Sequence, residues 1–237
     1  RIYGFENIER VTESVTMPIS PIGWSELNKD AISNHLCVRG YHEAINYSFV
    51  NKDMDNQISG QESKLELLNP ISTEMAVMKS SHLAGLLQTL KRNLSRQNNR
   101  IRLFEIGNVF SGDIKNHKEV EKIAAIAIGS IEEESWNSKH NDISFFDLKG
   151  DLDSLLLSNN EKDFFSYESN SDNKNFHPSY SADIYRKGEI IGVIGKLNPI
   201  LTRHFDISED VYFFEIDYKK AFQRSQIKAT PVSKYPQ

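Results

Sequence analysis

The feature that most constrains the fold is the succession of strand patterns without a helix between them. Ser181–Tyr185 and Ile190–Ile194 are both predicted strands, and only the turn at 186–189 separates them, which predicts an antiparallel hairpin. Ile101–Phe110 and Ile123–Ile128 likewise follow each other with no helical pattern between them. Parallel neighbours need a crossover of about a dozen residues or more. The chain is therefore predicted to form an antiparallel or mixed sheet with helices packed on it, not a doubly wound βαβ sheet.

Helical patterns are spaced along the same chain. One stripe has spacings i, i+3, i+4, i+7 and i+11 and predicts an amphipathic helix that ends near Asn98 and Asn99: Leu83, Leu86, Leu87, Leu90 and Leu94. The remaining predicted helices are Gly23–Arg39 (stopped by Gly40), a turn at Asn51–Ile58, a stripe from Phe145 to Leu156, Pro199–His204 and Tyr218–Phe222. Two further strands are predicted, Ala44–Val50 and Val211–Ile216.

Composition excludes several classes of protein. Apolar residues make up 38% of the 237, enough for a core, and no apolar run reaches the roughly 18–20 residues that a membrane span needs. A net charge of −5 argues against a globally basic nucleic-acid binder. The single cysteine, Cys37, excludes an internal disulfide and favours a reducing, cytoplasmic location. We expect Cys37 to be a small core residue of its helix.

Several segments, taken together and in order, resemble the β-subunit family of bacterial phenylalanine–tRNA ligases. They are Leu68–Ser81, Leu83–Leu87, Arg102–Phe110, Phe146–Gly150, His177-Pro178 with Ser181-Ala182, and Ile191–Pro199. The opening Arg1–Ile8 resembles the end of the domain that precedes this region, and Ser233–Pro236 resembles the lead-in to a C-terminal anticodon-binding domain.

The resemblance implies an α+β fold like the class II synthetase core, an antiparallel or mixed sheet flanked by helices. It implies an α2β2 assembly that charges tRNA(Phe) with phenylalanine, using ATP and Mg²⁺, in which the α subunit holds the active site. We expect a piece of a longer polypeptide, with a connector at 1–22, the core at 23–222 and a linker at 223–237. The family's β-chain metal ligands precede the stretch matched by Arg1, so no metal ligand is assigned, and this piece is expected to hold no cofactor of its own.

The residues themselves predict that this region has no catalytic site. A class II site carries Arg-x-Glu on one strand, and a spacing of two places both side chains on one sheet face. Here Leu103 stands at the arginine position before Glu105, and Arg102 is predicted to point to the opposite face. Leucine cannot stabilise phosphoryl charge. Glu215 and Asp217 stand where the ATP-binding strand of the family is glycine-rich, and we expect their charges to repel a triphosphate.

Other candidates have simpler interpretations. Gly188, Gly192 and Gly195 lack the spacing of a nucleotide fingerprint and are predicted to serve turns and close packing. Asp147 and Asp151 are predicted to lie on an exposed helix face.

A basic segment carries the one predicted docking surface. Met75–Phe104 contains no Asp or Glu, and Arg92, Arg96 and Arg100 repeat every four residues. If the helix continues through them, they and Lys91 would form a docking face for the α subunit or for tRNA phosphates. A solvated helix with salt bridges elsewhere is the alternative.

Two further functions stay open from the sequence. One is an active, free-standing ATP-dependent ligase of the same fold, and the other is a tRNA-binding module in its own right. The net charge of −5 and the few aromatics among the basic residues disfavour the second.

Overall fold

The computed structural model describes Gly4, residues 7–8, 28–62, 65–133, 135–136, 141–157 and 164–223. In chain order its elements are α1 (Lys29–Val38), β1 (His42–Glu43), β2 (Phe49–Val50), α2 (Lys52–Ser59), a 3₁₀ turn (Thr73–Met75), β3 (Val77–Met78), α3 (Leu83–Leu94), β4 (Ile101–Gly112), β5 (His117–Ile128), α4 (Phe145–Leu157), β6 (Phe165–Ser169), β7 (Phe176–Arg186), β8 (Glu189–Leu197), α5 (Pro199–His204), β9 (Tyr212–Asp217) and α6 (Tyr218–Phe222). The predicted α+β fold is confirmed.

Seven of these strands form one sheet, in the order β1-β4-β5-β9-β8-β7-β6, and β2 pairs with β3 separately. Every neighbouring pair in the large sheet is antiparallel except β1 and β4, which are parallel. The last strand, β9, lies between β5 and β8. The prediction of a mixed, largely antiparallel sheet is therefore confirmed.

The β7–β8 hairpin shows how local chemistry sets this pairing. Lys187 and Gly188 have φ angles of 53° and 84°, and two consecutive positive φ angles are the mark of a type I′ turn. At Gly195, a Cβ atom would approach the Phe176 ring to 2.6 Å, and at Gly192 it would overlap the carbonyl oxygen of Glu215. The prediction that these glycines serve a turn and close packing is confirmed.

The sheet buries a hydrophobic cluster on each face. On β4, Phe104 faces α1 and α4, whereas Ile101 and Leu103 face α3. These faces are called the α4 face and the α3 face below. The alternation follows from the two-residue repeat of a strand, and it decides which side chains of β4 can meet.

Four local predictions were wrong or incomplete. The predicted strand Ala44–Val50 is mostly loop, with Ile45 94% and Tyr47 64% exposed, because the chain leaves the sheet edge after the two residues of β1. Cys37 is exposed, since Ile32 and Leu36 form the buried stripe of α1 and the next residue turns about 100° away from it. The leucine helix α3 ends at Leu94, and edge strand β6 was missed. The predicted start of α1 at 23–27 lies outside the described residues.

Candidate functional site

A buried carboxylate, Glu105 on β4, is the centre of one polar cluster on the α3 face. Its oxygens accept hydrogen bonds from Lys79 Nζ at 2.6 Å and Asn46 Nδ2 at 2.7 Å, and His82 Nδ1 lies 3.2 Å away. Glu105 is 4% exposed, Lys79 3% and His82 0%. His82 Nε2 lies 3.1 Å from the carbonyl oxygen of Gly107, which ties the beginning of α3 to β4. The cluster therefore joins three segments inside the core.

The Glu105 carboxylate is held in its charged form by these partners. Burial alone would raise its pKa, because a charged group loses hydration. His82, Asn46 and Lys79 outweigh burial, and the pKa of Glu105 lies below its usual value. Glu105 and Lys79 thus neutralise each other in the core.

A second carboxylate, Glu215 on β9, lies on the same face. Its Oε1 accepts from Ser81 Oγ at 2.9 Å and from the His82 backbone N–H at 2.8 Å, and its Oε2 accepts from Lys122 Nζ at 2.7 Å. Burial raises its pKa, but the charges of Lys122 and His82 and these hydrogen bonds lower the pKa of Glu215 below its usual value. The anion also lies at the N-terminus of α3, where the helix dipole favours negative charge.

A small cleft opens beside Glu215. Its volume is about 260 Å³. Its polar and aromatic lining includes Ser81, Lys122, Asn175, Phe176, Phe213 and Glu215. Phe176 and Phe213 stack with their ring centroids 6.2 Å apart. Lys122, with 29% of its side chain exposed, is the member of the ion pair nearer to solvent.

A third buried carboxylate, Asp151 on α4, lies on the opposite face. It accepts from Arg39 at 2.6 Å, Tyr41 at 2.9 Å and Arg102 at 3.2 Å. Burial, and then the Asp151 charge, raise the pKa of the Tyr41 hydroxyl well above its usual value. The structure contradicts an exposed Asp147–Asp151 face, because Asp151 is 6% exposed and Asp147 caps the start of α4 through the Ser144 N–H at 2.8 Å.

The predicted separation of Arg102 from Glu105 is confirmed. Arg102 pairs with Asp151 on the α4 face, whereas Glu105 pairs with Lys79 on the α3 face. The repulsion of a triphosphate by Glu215 and Asp217 stays a prediction, although both carboxylates have partners in the structure. Glu215 is neutralised by Lys122, and Asp217 caps α6 through the Lys220 N–H at 2.9 Å.

Sequence reasoning missed the two lysines that matter here. Lys79 lies within the basic segment Met75–Phe104 and received no role of its own, and Lys122 received none. The available signal was the strand register: Lys122 pairs directly with Asp217, so Glu215 is its diagonal neighbour across β5 and β9. That register depends on a partner strand distant in sequence.

The predicted basic docking residues do not share one helix face. Because α3 ends at Leu94, Arg96 and Arg100 lie beyond it, and Gln97 has a φ of 66° in the intervening turn. Lys91 pairs with Asp206 at 2.7 Å, and Arg100 donates to the Ile131 carbonyl at 3.3 Å. Arg92 and Arg96 are exposed. The continuous helix was wrong, while docking itself stays a prediction.

Two kinds of feature are absent from the described residues. Among the described ranges, no group of three or more His, Cys, Asp or Glu side chains is placed to hold a metal ion. Within those same ranges, no helix has the length and apolar character needed to cross a membrane.

The chain matches a known protein family over most of its length. A family model described as the phenylalanyl tRNA synthetase beta chain CLM domain matches residues 8–218. The chain belongs to this family. The CLM-domain chain is similar to the phenylalanine–tRNA ligase beta subunits of Coxiella burnetii (32% identity over 99% of the chain) and Vibrio parahaemolyticus (35% over all of it). It spans 30% of the length of each of those relatives.

Two solved tRNA synthetase structures share the CLM-domain fold. Pyrrolysyl-tRNA synthetase from Desulfitobacterium hafniense superposes with a TM-score of 0.59 at 11% identity, covering 81% of this chain and 66% of the other. A second structure from the same organism, titled PylSc, a pyrrolysyl tRNA synthetase, gives 0.58 at 13% identity and covers 81% and 64%. Identities this low establish the shared fold alone.

Proposed function

We propose that this chain is the non-catalytic, synthetase-like core of a phenylalanine–tRNA ligase β subunit. In this role it supports ATP-dependent charging of tRNA(Phe) by pairing with the catalytic α subunit. Its family and its match to about a third of the β-subunit relatives support the assignment to that subunit. The observation that carries the non-catalytic role is that Lys79 and Lys122, on the α3 face, are each paired with a carboxylate.

An ATP site needs positive charge that is free to meet phosphates. On the α3 face, Leu103 supplies none, and Lys79 and Lys122 are each bound to a carboxylate at 2.6 Å and 2.7 Å. A triphosphate arriving there would compete with Glu105 and Glu215 for the same ammonium groups. Breaking a buried pair costs about 3–5 kcal/mol when one partner is left uncompensated. This competition disfavours productive ATP binding.

The space beside Glu215 supports the same conclusion. Small-molecule sites usually occupy roughly 300–1,000 Å³. The cleft beside Glu215, at about 260 Å³, lies below that range. ATP together with an amino acid would need a substantially larger cavity. In this proposal the ATP and Mg²⁺ of the ligase are bound by the α subunit.

An ATP–pyrophosphate exchange assay tests the proposal. Exchange is measured with phenylalanine for the chain alone, for the ligase assembled from full-length α and β subunits, and for a ligase whose β subunit carries Leu103→Arg. We expect background exchange from the chain and equal exchange from the two ligases. Phenylalanine-dependent exchange by the chain alone would reject the non-catalytic role and favour the free-standing ligase.

Pairing with the α subunit needs a separate test. Tagged full-length β subunit is co-expressed with α, with and without the double charge reversal Arg92→Glu and Arg96→Glu. We expect the wild type to retain α, and the reversal to weaken either α retention or tRNA(Phe) binding at low salt, because both arginines are exposed. Unchanged values for both would reject docking at these arginines, and failure of wild-type β to retain α would reject the pairing.

A further inference from the structure

The groups that hold Glu215 are arranged as a receptor for a carboxylate. We propose that they form a carboxylate-binding site at the mouth of the cleft, and that the chain's own Glu215 is its tethered occupant. This inference deepens the proposed non-catalytic function, on which it rests: the α3 face is closed to anionic ligands because the chain fills its own anion site.

Both oxygens of the Glu215 carboxylate are recognised separately. Oε1 receives the Ser81 hydroxyl at 2.9 Å and the His82 N–H at 2.8 Å, and Oε2 receives the Lys122 ammonium at 2.7 Å. Hydrogen bonds between charged partners are roughly twice as strong as neutral ones. The donors come from β5 and from the segment before α3, so they converge on the carboxylate from two elements. A free formate or acetate has the same two oxygens.

The donors on the α3 side are fixed by contacts that do not involve Glu215. Ser81 Oγ also accepts from the Leu83 N–H at 3.1 Å, which holds the hydroxyl at the beginning of the helix. The His82 ring is held by Gly107 at 3.1 Å and lies beside Glu105 at 3.2 Å. These positions should persist when Glu215 is shortened. A site that stays in place avoids the ordering cost of binding.

The cleft gives a small ligand access to these groups. Ser81, Lys122 and Glu215 all line it, and 29% of the Lys122 side chain is exposed. The Glu105 cluster makes a matched comparison. Glu105 is an equally buried glutamate with a lysine partner on the same face, but Lys79 is 3% exposed, and neither residue lines the cleft. Both clusters bind carboxylate, and only the Glu215 cluster opens to solvent through the cleft.

Chemical rescue of Glu215→Ala tests the proposal. The variant should lose on the order of 5–10 °C of melting temperature in chloride, because Lys122 loses its partner. Sodium acetate or formate should then raise that temperature progressively with concentration, because a ligand that binds only the folded state stabilises it. Sodium chloride at equal ionic strength should have no such effect. The melting temperatures of the wild type and of Glu105→Ala should be the same in acetate as in chloride.

The result that overturns the proposal is an equal response of Glu215→Ala to acetate and to chloride. An acetate response of equal size in Glu105→Ala would also overturn it, since the stabilisation would then not depend on the Glu215 cluster. If Glu215→Ala is unfolded in chloride, dilution from urea into acetate should restore the wild-type near-ultraviolet circular dichroism, and failure to restore it rejects the site. The wild-type exchange assay is independent of all these results, so failure of rescue and failure of the non-catalytic role are distinguishable.

Discussion

Both faces of the sheet bury acids that pair with basic side chains, but the acids and the basic residues differ between the two faces. On the α3 face the two buried acids that pair with lysines, Glu105 and Glu215, belong to strands. On the α4 face the acid, Asp151, belongs to a helix and binds two arginines and a tyrosine. The α3 face has a cleft beside one of its pairs, whereas Asp151 shares its interior with the leucines of α4.

The two clusters are therefore expected to have different roles: the Asp151 cluster is structural, whereas the Glu215 cluster is a binding site that the chain itself occupies. Arginine presents several donors in a fixed fork, so one carboxylate can hold β4, α4 and the segment after α1 together. Lysine is a single point charge, and each lysine on the α3 face neutralises one acid. We therefore expect the α4-face cluster to matter mainly for stability. We expect the α3-face clusters to affect stability and also what the cleft accepts.

Removing Asp151, the acid at the centre of the α4-face cluster, should have the largest effect on stability. Asp151→Ala leaves Arg102, whose side chain is 6% exposed, without its carboxylate. The expected loss is about 3–5 kcal/mol in the free energy of unfolding. Urea denaturation followed by circular dichroism measures it, with Asp172→Ala in an exposed loop as the control. A loss no larger than that of the control would contradict this structural role.

Neutralising Glu105 should cost somewhat less, and a second change should recover part of the loss. Glu105→Gln keeps an acceptor oxygen but leaves the Lys79 ammonium unpaired at 3% exposure. We expect a loss of about 3 kcal/mol, of which the double variant Glu105→Gln with Lys79→Met regains more than half. Urea denaturation of both single variants and the double variant gives the coupling, with exposed Glu119→Gln as the control. Additive single effects would show that the two charges do not interact.

Lowering the pH should remove the stability that the Glu105 and Glu215 carboxylates contribute to the α3 face. The pKa values of Glu105 and Glu215 lie below the usual 4.5, so their stabilisation is present above that value and is lost as the pH falls through the lowered values. Unfolding free energy measured from about pH 6 to pH 3 should therefore fall toward acid. The fall should be shallower in Glu105→Gln. Parallel curves for the two proteins would rule out a contribution from Glu105.

The smallest effect should come from an exposed ion pair between α3 and the segment after α5. Lys91 and Asp206 lie 2.7 Å apart, but 50% and 80% of their side chains are exposed. Water and salt screen such pairs, so Lys91→Ala should leave the urea midpoint unchanged within error. A shift approaching that of Glu105→Gln would mean that exposure does not separate the two classes of ion pair.

The elements that the sequence predicted are those set by local chemistry. The leucine spacing of α3 specifies a helical stripe, and the turn at Lys187 and Gly188 specifies its hairpin. Glu105 and Arg102 were assigned to opposite faces by strand alternation alone. Each prediction needed only residues close together in the chain.

The parts that could not be predicted depend on contacts between distant segments. Asp151 looks like one acid of an exposed i, i+4 pair until Arg39 and Arg102 reach it from elsewhere in the chain. Glu215 looks repulsive until β5 places Lys122 beside it. A charged residue's partner is set by packing and strand register, so its role cannot be assigned from its neighbours in sequence.

The central place of β9 has a consequence for synthesis. A ribosome makes β5 long before β9 and β8 shortly before it, so until β9 is complete the chain has two partial sheets, β1-β4-β5 and β8-β7-β6, with open inner edges. Unpaired edges can pair with other chains, and distant pairings form slowly. The late strand also carries Glu215, so Lys122 has no counter-charge until the two partial sheets join. Chaperone binding to the nascent chain should therefore end only when Val211–Asp217 has emerged.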